Sequence, residues 1–212
     1  MEKTITGYKF ISEDMKSKNG NHQWEIGKWY KEENIEPYKR GFHACEQPLD
    51  SLGYTIGNKF FLVEAKGEIL HPQEDVFVAS EMRLIREIPS EVLKRFAIFC
   101  TKKSLIPYEE EYNDSKPREL MESTEDYLNN NISLKELLNQ ISIIKTGQTF
   151  SSKSPMELAA WSTWFSVEAT INAVISTPSI PKAAAATTMW SMWSARLSEQ
   201  NKELKRLIEE PW

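Results

Sequence analysis

Up to Pro89, short apolar runs alternate with turn residues, a pattern that suits strands and loops. Beyond that point apolar residues recur at helical spacing. The first part predicts strands at Tyr8–Ile11, Phe60–Ala65, Val76–Ala79 and Met82–Ile88, the last from Met82 and Leu84 alternating with Arg83, Ile85 and Glu87. Asn58-Lys59 and Lys66-Gly67 bound the second of these. Between them, Pro48-Leu49-Asp50-Ser51-Leu52-Gly53-Tyr54 reads as one or two helical turns ended by the glycine.

Five helices are expected in the second part, most with explicit start signals. Ser90 can cap Glu91–Lys103, whose Val92, Phe96, Phe99 and Cys100 share a face. Pro117 opens a helix from Lys116 to about Leu128, at a first-turn position where its missing N–H costs nothing. Ser133 and Glu136 form a capping box ahead of Leu134, Leu137, Leu138, Ile141 and Ile144. Ser154 and Glu157, with Pro155 between them, start a helix to about Ile175, and a last helix runs from about Pro181 to Glu209. If a turn near Thr177 and Pro178 makes these two antiparallel, facing residue numbers sum to about 355. Trp164 then meets Trp190 or Ser191, Trp161 meets the level of Trp193, and Ala169 and Ala173 face Ala183–Ala186. Core packing is the favoured reading for these tryptophans, with an aromatic ligand-binding slot as the alternative.

The division predicted is therefore an α+β fold in two domains, a small α+β domain over residues 1–88 and an all-α helical bundle over 89–212. Glycine usage agrees: Gly147 is the only one of the eight glycines after Gly67. Hydrophobic residues at 40% and aromatics at 11% are those of a folded chain. A formal charge of -5 argues against holding nucleic-acid backbone directly. Cys45 and Cys100 make no disulfide framework, and no apolar leader or membrane-length run is present, so a cytoplasmic protein without membrane contact is expected.

Candidate chemistry is sparse. His22, His43 and His71 are scattered, His43 and Cys45 make one close pair of soft ligands, and no metal site is expected, since zinc takes three or four protein ligands. Phosphate-loop, nucleophile-elbow and dinucleotide motifs are missing from the sequence. The acidic stretch from Tyr108 to Leu128 is either a solvated face or a surface that docks a basic partner. In the second case the binding residues are Tyr108, Glu109, Glu110, Glu111, Tyr112, Asp114, Glu122 and Tyr127, with the tyrosines as aromatic anchors.

Two resemblances add to this reading. Gly7-Tyr8-Lys9-Phe10, Gly41-Phe42-His43-Ala44-Cys45-Glu46-Gln47-Pro48-Leu49-Asp50 and Phe61 through Ile69 resemble a functionally uncharacterised domain of phage and prophage proteins, over about residues 5–88. Arg95–Cys100, Pro107–Tyr112, Lys116–Glu119 and the Ala/Trp helices through Leu204 are similar to an Ala-rich helical family labelled as immunity proteins, which implies neutralising a partner by binding.

The same N-terminal order is also similar to the middle of ADP-ribosyltransferase domains. That resemblance implies NAD as a cofactor, with Lys9 at the ribose, His43 at the nicotinamide, and Glu74 or Asp75 near the catalytic carboxylate. The carboxylate would orient the nucleophile and stabilise the cationic ribose. The expectation favoured is a non-catalytic interaction protein of the host cytosol, without cofactor, that binds and neutralises a host defence or toxin protein. The NAD- or ADP-ribose-binding enzyme is the alternative.

Overall fold

The computed structural model describes residues 4–17, 22–54, 57–145, 155–175 and 197–211. An antiparallel sheet in the N-terminal part and, among the described residues, six α-helices make the fold α+β. The chain forms two compact units, Met1–Val92 with Leu204–Trp212, and Leu93–Glu203.

In the first unit, β1 (Ile5–Ile11) pairs with β4 (Lys59–Leu70), and β4 with β5 (Phe77–Ile88). Two short strands, β2 (Tyr30–Lys31) and β3 (Phe42–Ala44), lie end to end along the outer edge of β5, against Glu81–Met82 and Phe77–Ala79. Just after β3, Cys45 N–H donates to Tyr8 O at 3.0 Å, and Tyr8 N–H donates to Cys45 O at 2.7 Å. The chain following β3 thus reaches the free edge of β1, and the sheet closes on itself.

Alternation sorts the side chains. Phe61, Val63 and Ala65 of β4 join Phe77, Met82 and Leu84 of β5 in a core that also holds Ile11, Trp24 and Phe42. Phe10 points to the other face and stacks on its cross-strand partner Phe60 at 4.3 Å. The register of β4 against β5 shifts between Lys66 and Ile69. There Gly67 takes φ +76°, and the Ser80 hydroxyl accepts from Glu68 N–H at 2.9 Å.

The expected strands at 76–79 and 82–88 are one continuous strand from Phe77, because Glu81 pairs with Lys66 and the carbonyl of buried Ser80 accepts from Glu32 N–H, although both residues interrupt the apolar pattern. Gly53 does not end the helical turns: α1 (Pro48–Ser51) passes into a 3-10 turn, Leu52–Tyr54. The returning C-terminal segment adds buried Leu204, Leu207 and Ile208, and an Arg86 guanidinium N–H donates to Ile208 O at 2.7 Å.

Helices build the second unit. α2 (Ser90–Tyr112) begins at Ser90 itself, so that serine is not its cap, and Val92 N–H bonds to Pro89 O. It runs nine residues beyond Lys103 because the added turns bury Leu105 and Tyr108. α3 (Lys116–Leu128) has Pro117 in its first turn, as expected. α4 (Leu134–Lys145) starts on the Ser133–Glu136 capping box: Ser133 N–H donates to the carboxylate at 2.7 Å, and Glu136 N–H donates to the Ser133 hydroxyl at 3.3 Å. α5 (Pro155–Ile175) carries Trp164, Val167 and Ile171 into a core with Leu105, Tyr108, Leu120 and Met121. Thr101, Ser166 and Thr170 join α2 to α5 through buried hydroxyls at 2.7–2.9 Å.

α6 (Leu197–Glu209) closes the chain. Trp190, Trp193 and Ala183–Ala186, on which the expected hairpin depends, lie outside the described residues, as do Ser154 and the side chain of Trp161. No helix among the described residues is long and apolar enough to cross a membrane.

Candidate functional site

A cavity of about 350 Å³ opens in the first unit, among β1, β3 and the segment around residues 32–41. Its lining includes Lys9, His43, Cys45 and Tyr54. Period-two alternation explains the unusual member. Lys9 occupies the face of β1 that carries Ile5 and Ile11, directly opposite Phe61 of β4. A cation thus stands where the strand otherwise presents core residues.

Its amine donates to His43 O at 2.7 Å, and the described residues give it no carboxylate partner. Burial pushes Lys9 down to about 8, since the charged form is poorly solvated there. The same burial, with Asp50 and Asp75 nearby, pushes the Cys45 thiol up to about 12, so this sulfur is a neutral wall and not a nucleophile.

His43 is held by main chain at both ring nitrogens. Tyr38 N–H donates to Nε2 at 2.8 Å, which leaves Nδ1–H to donate to Gly41 O at 3.2 Å. Burial, and then the Lys9 charge, lower its pKa, which agrees with a neutral ring. Gly41 makes the turn feasible: at φ +106° a Cβ would lie 2.6 Å from Val78 Cγ2.

Lys9 and His43, separated by 34 residues, therefore line one cavity. The acidic pair does not join them there. Glu74 is exposed and Asp75 accepts from the Tyr54 hydroxyl at 2.8 Å, and neither lines the cavity. That bond, more than burial, pushes Tyr54 up to about 12. Among the described residues, no three His, Cys, Asp or Glu side chains are grouped to hold a metal ion.

Residues 5–95 match a family described as a domain of unknown function, DUF7666. No curated protein and no solved structure matches the chain. The DUF7666 match runs from β1 into the first turns of α2 and contains every residue of the cavity wall, from Tyr8 to Val76. An uncharacterised domain family is thus what the Gly7–Ile69 segments resemble. Sequence reasoning alone had no reason to place His22, Tyr38, Arg40 or Tyr54 in this wall. His22, Tyr38 and Arg40 sit in irregular segments whose path is set by the edge of β5 and the closure at Cys45, and Tyr54 ends the 3-10 turn.

The acidic stretch lies outside the DUF7666 match, in the second unit. Tyr108 is 5% exposed: its hydroxyl donates to Asp114 at 2.9 Å and accepts from the Trp164 indole at 3.1 Å. Its ring stacks on half-buried Tyr112 at 4.9 Å. Tyr108 is therefore a core residue, with no surface to offer as an anchor.

Glu109 receives two guanidinium N–H bonds from Arg118, at 2.5 and 2.6 Å, which ties the end of α2 to the start of α3. Asp114 also accepts from Lys116 N–H. Glu110, Glu119, Glu122 and Asp126 are exposed, and the last three fall on one side of α3, opposite buried Pro117, Leu120, Met121 and Thr124. Tyr127 is half-buried, and the Glu111 side chain lies outside the described residues.

Proposed function

We propose that this protein is a non-catalytic interaction protein of phage or prophage type, acting in the host cytosol, that neutralises a host defence or toxin protein by binding a basic surface on it. The observation that carries this reading is the fixed acidic edge of the second unit. The Arg118–Glu109 pair and the Trp164–Tyr108–Asp114 chain set α3 against α2, so Glu110, Glu119, Glu122 and Asp126 are presented without loss of loop freedom on binding. A role as binder rather than enzyme is further supported by His43, whose two nitrogens are used by main chain, and by Glu74 and Asp75 standing outside the cavity wall.

The test is a native pull-down from host lysate with the full chain and with a Glu110→Lys, Glu122→Lys, Asp126→Lys variant. Glu109 is left intact because reversing it would break the bridge to Arg118. Expected is a stoichiometric partner whose capture weakens with salt and is lost in the variant at unchanged melting temperature. A partner held equally by the variant, or none at all, would overturn the reading.

A further inference from the structure

The first unit carries a cavity that the interaction reading does not use. Its wall combines three features. The first is uncompensated positive charge: Lys9 and, at the rim, exposed Arg40 have no carboxylate within ion-pair distance among the described residues. Lys39 is paired with Glu36 at 2.6 Å, and Glu32 is the one acidic residue in the wall. The second is an unsatisfied group: among the described residues, buried His22 Nε2 has no hydrogen-bond partner. The third is a pair of exposed rings, Tyr38 and Tyr54, which are 55% and 40% exposed and both border this cavity. Tyr38 also lies over the His43 ring at 6.2 Å.

We propose that this cavity binds a small molecule with one planar ring joined to one anionic group, the anion on the Lys9 amine and Arg40 and the ring against Tyr38 and Tyr54, as in a nucleoside monophosphate. A volume of about 350 Å³ lies near the small end of the range for ligand pockets, which suits a mononucleotide better than a dinucleotide. His22 is also part of the wall, and its buried Nε2 has no hydrogen-bond partner among the described residues. The buried amine supports the same picture, because an isolated cation facing a core is poorly solvated until an anion reaches it.

The test titrates the full chain calorimetrically with each of the four nucleoside 5′-monophosphates, with adenosine, with inorganic phosphate and with NAD. Saturable one-to-one binding of at least one monophosphate is expected, with adenosine and phosphate each weaker by at least about tenfold. Lys9→Met should weaken that monophosphate by about tenfold or more while leaving adenosine unchanged. Tyr38→Ala, at an exposed rim position, should weaken monophosphate and adenosine alike by about fivefold. Melting curves of both variants establish that they are folded. No saturable monophosphate binding, equal affinity in Lys9→Met, or tighter binding of NAD than of every monophosphate would overturn the proposal. The outcome is independent of the acidic edge, whose variants leave this wall untouched.

Discussion

The indole N–H of Trp164 donates to the hydroxyl of Tyr108 at 3.1 Å, across 56 residues of sequence. That hydroxyl donates onward to Asp114 at 2.9 Å. Tyr108→Phe keeps the ring and removes the bridge, leaving a buried indole N–H without its acceptor. A loss of about 1–3 kcal/mol is expected from chemical denaturation. The pH profile gives a second reading. Burial, and then Asp114, push Tyr108 up to about 12, so its contribution is complete below its ordinary value of 10 and is lost as pH rises through about 12. The Phe variant should lack that alkaline loss.

Lys9 predicts the opposite slope. Its folded value of about 8 lies below the ordinary 10.5, so between those limits the unfolded chain holds more protons and stability rises with pH. Lys9→Met, which removes the buried charge, should raise the melting temperature at pH 7 and lose that advantage by about pH 10.5. Cys45 runs against Lys9 in alkali, its thiol being pushed up to about 12, so the comparison is made between the two proteins at each pH. A variant less stable than wild type at pH 7 would contradict this assignment.

Gly67 sits at the register shift with φ +76°, and a Cβ there would come within 2.4 Å of Ser80 Oγ. Gly67→Ala should therefore cost about 2 kcal/mol, from backbone strain together with displacement of the serine that receives Glu68 N–H. Thermal denaturation of Gly67→Ala, of Ser80→Ala and of the double variant separates the two parts: Ser80→Ala alone measures the lost acceptor of Glu68 N–H, and the double variant measured against it leaves the backbone strain.

The capping box at α4 is exposed and acts locally. Ser133→Ala should speed amide hydrogen exchange at the start of α4 without altering exchange in the sheet of the first unit. Hydrogen bonds from Ser133 hold Glu136 below the usual carboxylate range, so the contribution is present above that range and is lost as pH falls through the lowered value. Exchange at α4 in wild type should accordingly quicken on acidification.

Helices were legible where a local signal fixes an end. Pro117 and the Ser133–Glu136 box mark the starts of α3 and α4, and both signals operate within a few residues. The far end of α2 was not legible, because its last turns are stabilised by burial of Leu105 and Tyr108, contacts that no periodicity announces. β2 and β3 escaped for a related reason. Tyr30–Lys31 and Phe42–Ala44 are strands only because β5 offers them an edge. In the cavity, Lys9 and His43 could be singled out by resemblance, whereas Arg40, Tyr38 and His22 are brought there by irregular chain between β-bridges. A lysine on an apolar strand face was the one signal for the site that alternation alone could have supplied.

The first unit is discontinuous: Leu204–Trp212 belongs with Met1–Val92, and everything between belongs to the second. A ribosome must therefore deliver the whole helical unit before Ile208 can offer its carbonyl to Arg86. At about 5–20 residues per second that interval is on the order of ten seconds, during which the strand-rich unit lacks Leu204, Leu207 and Ile208 from its interior. Order of synthesis and order of completion are thus inverted between the two units: the one begun earlier is finished later.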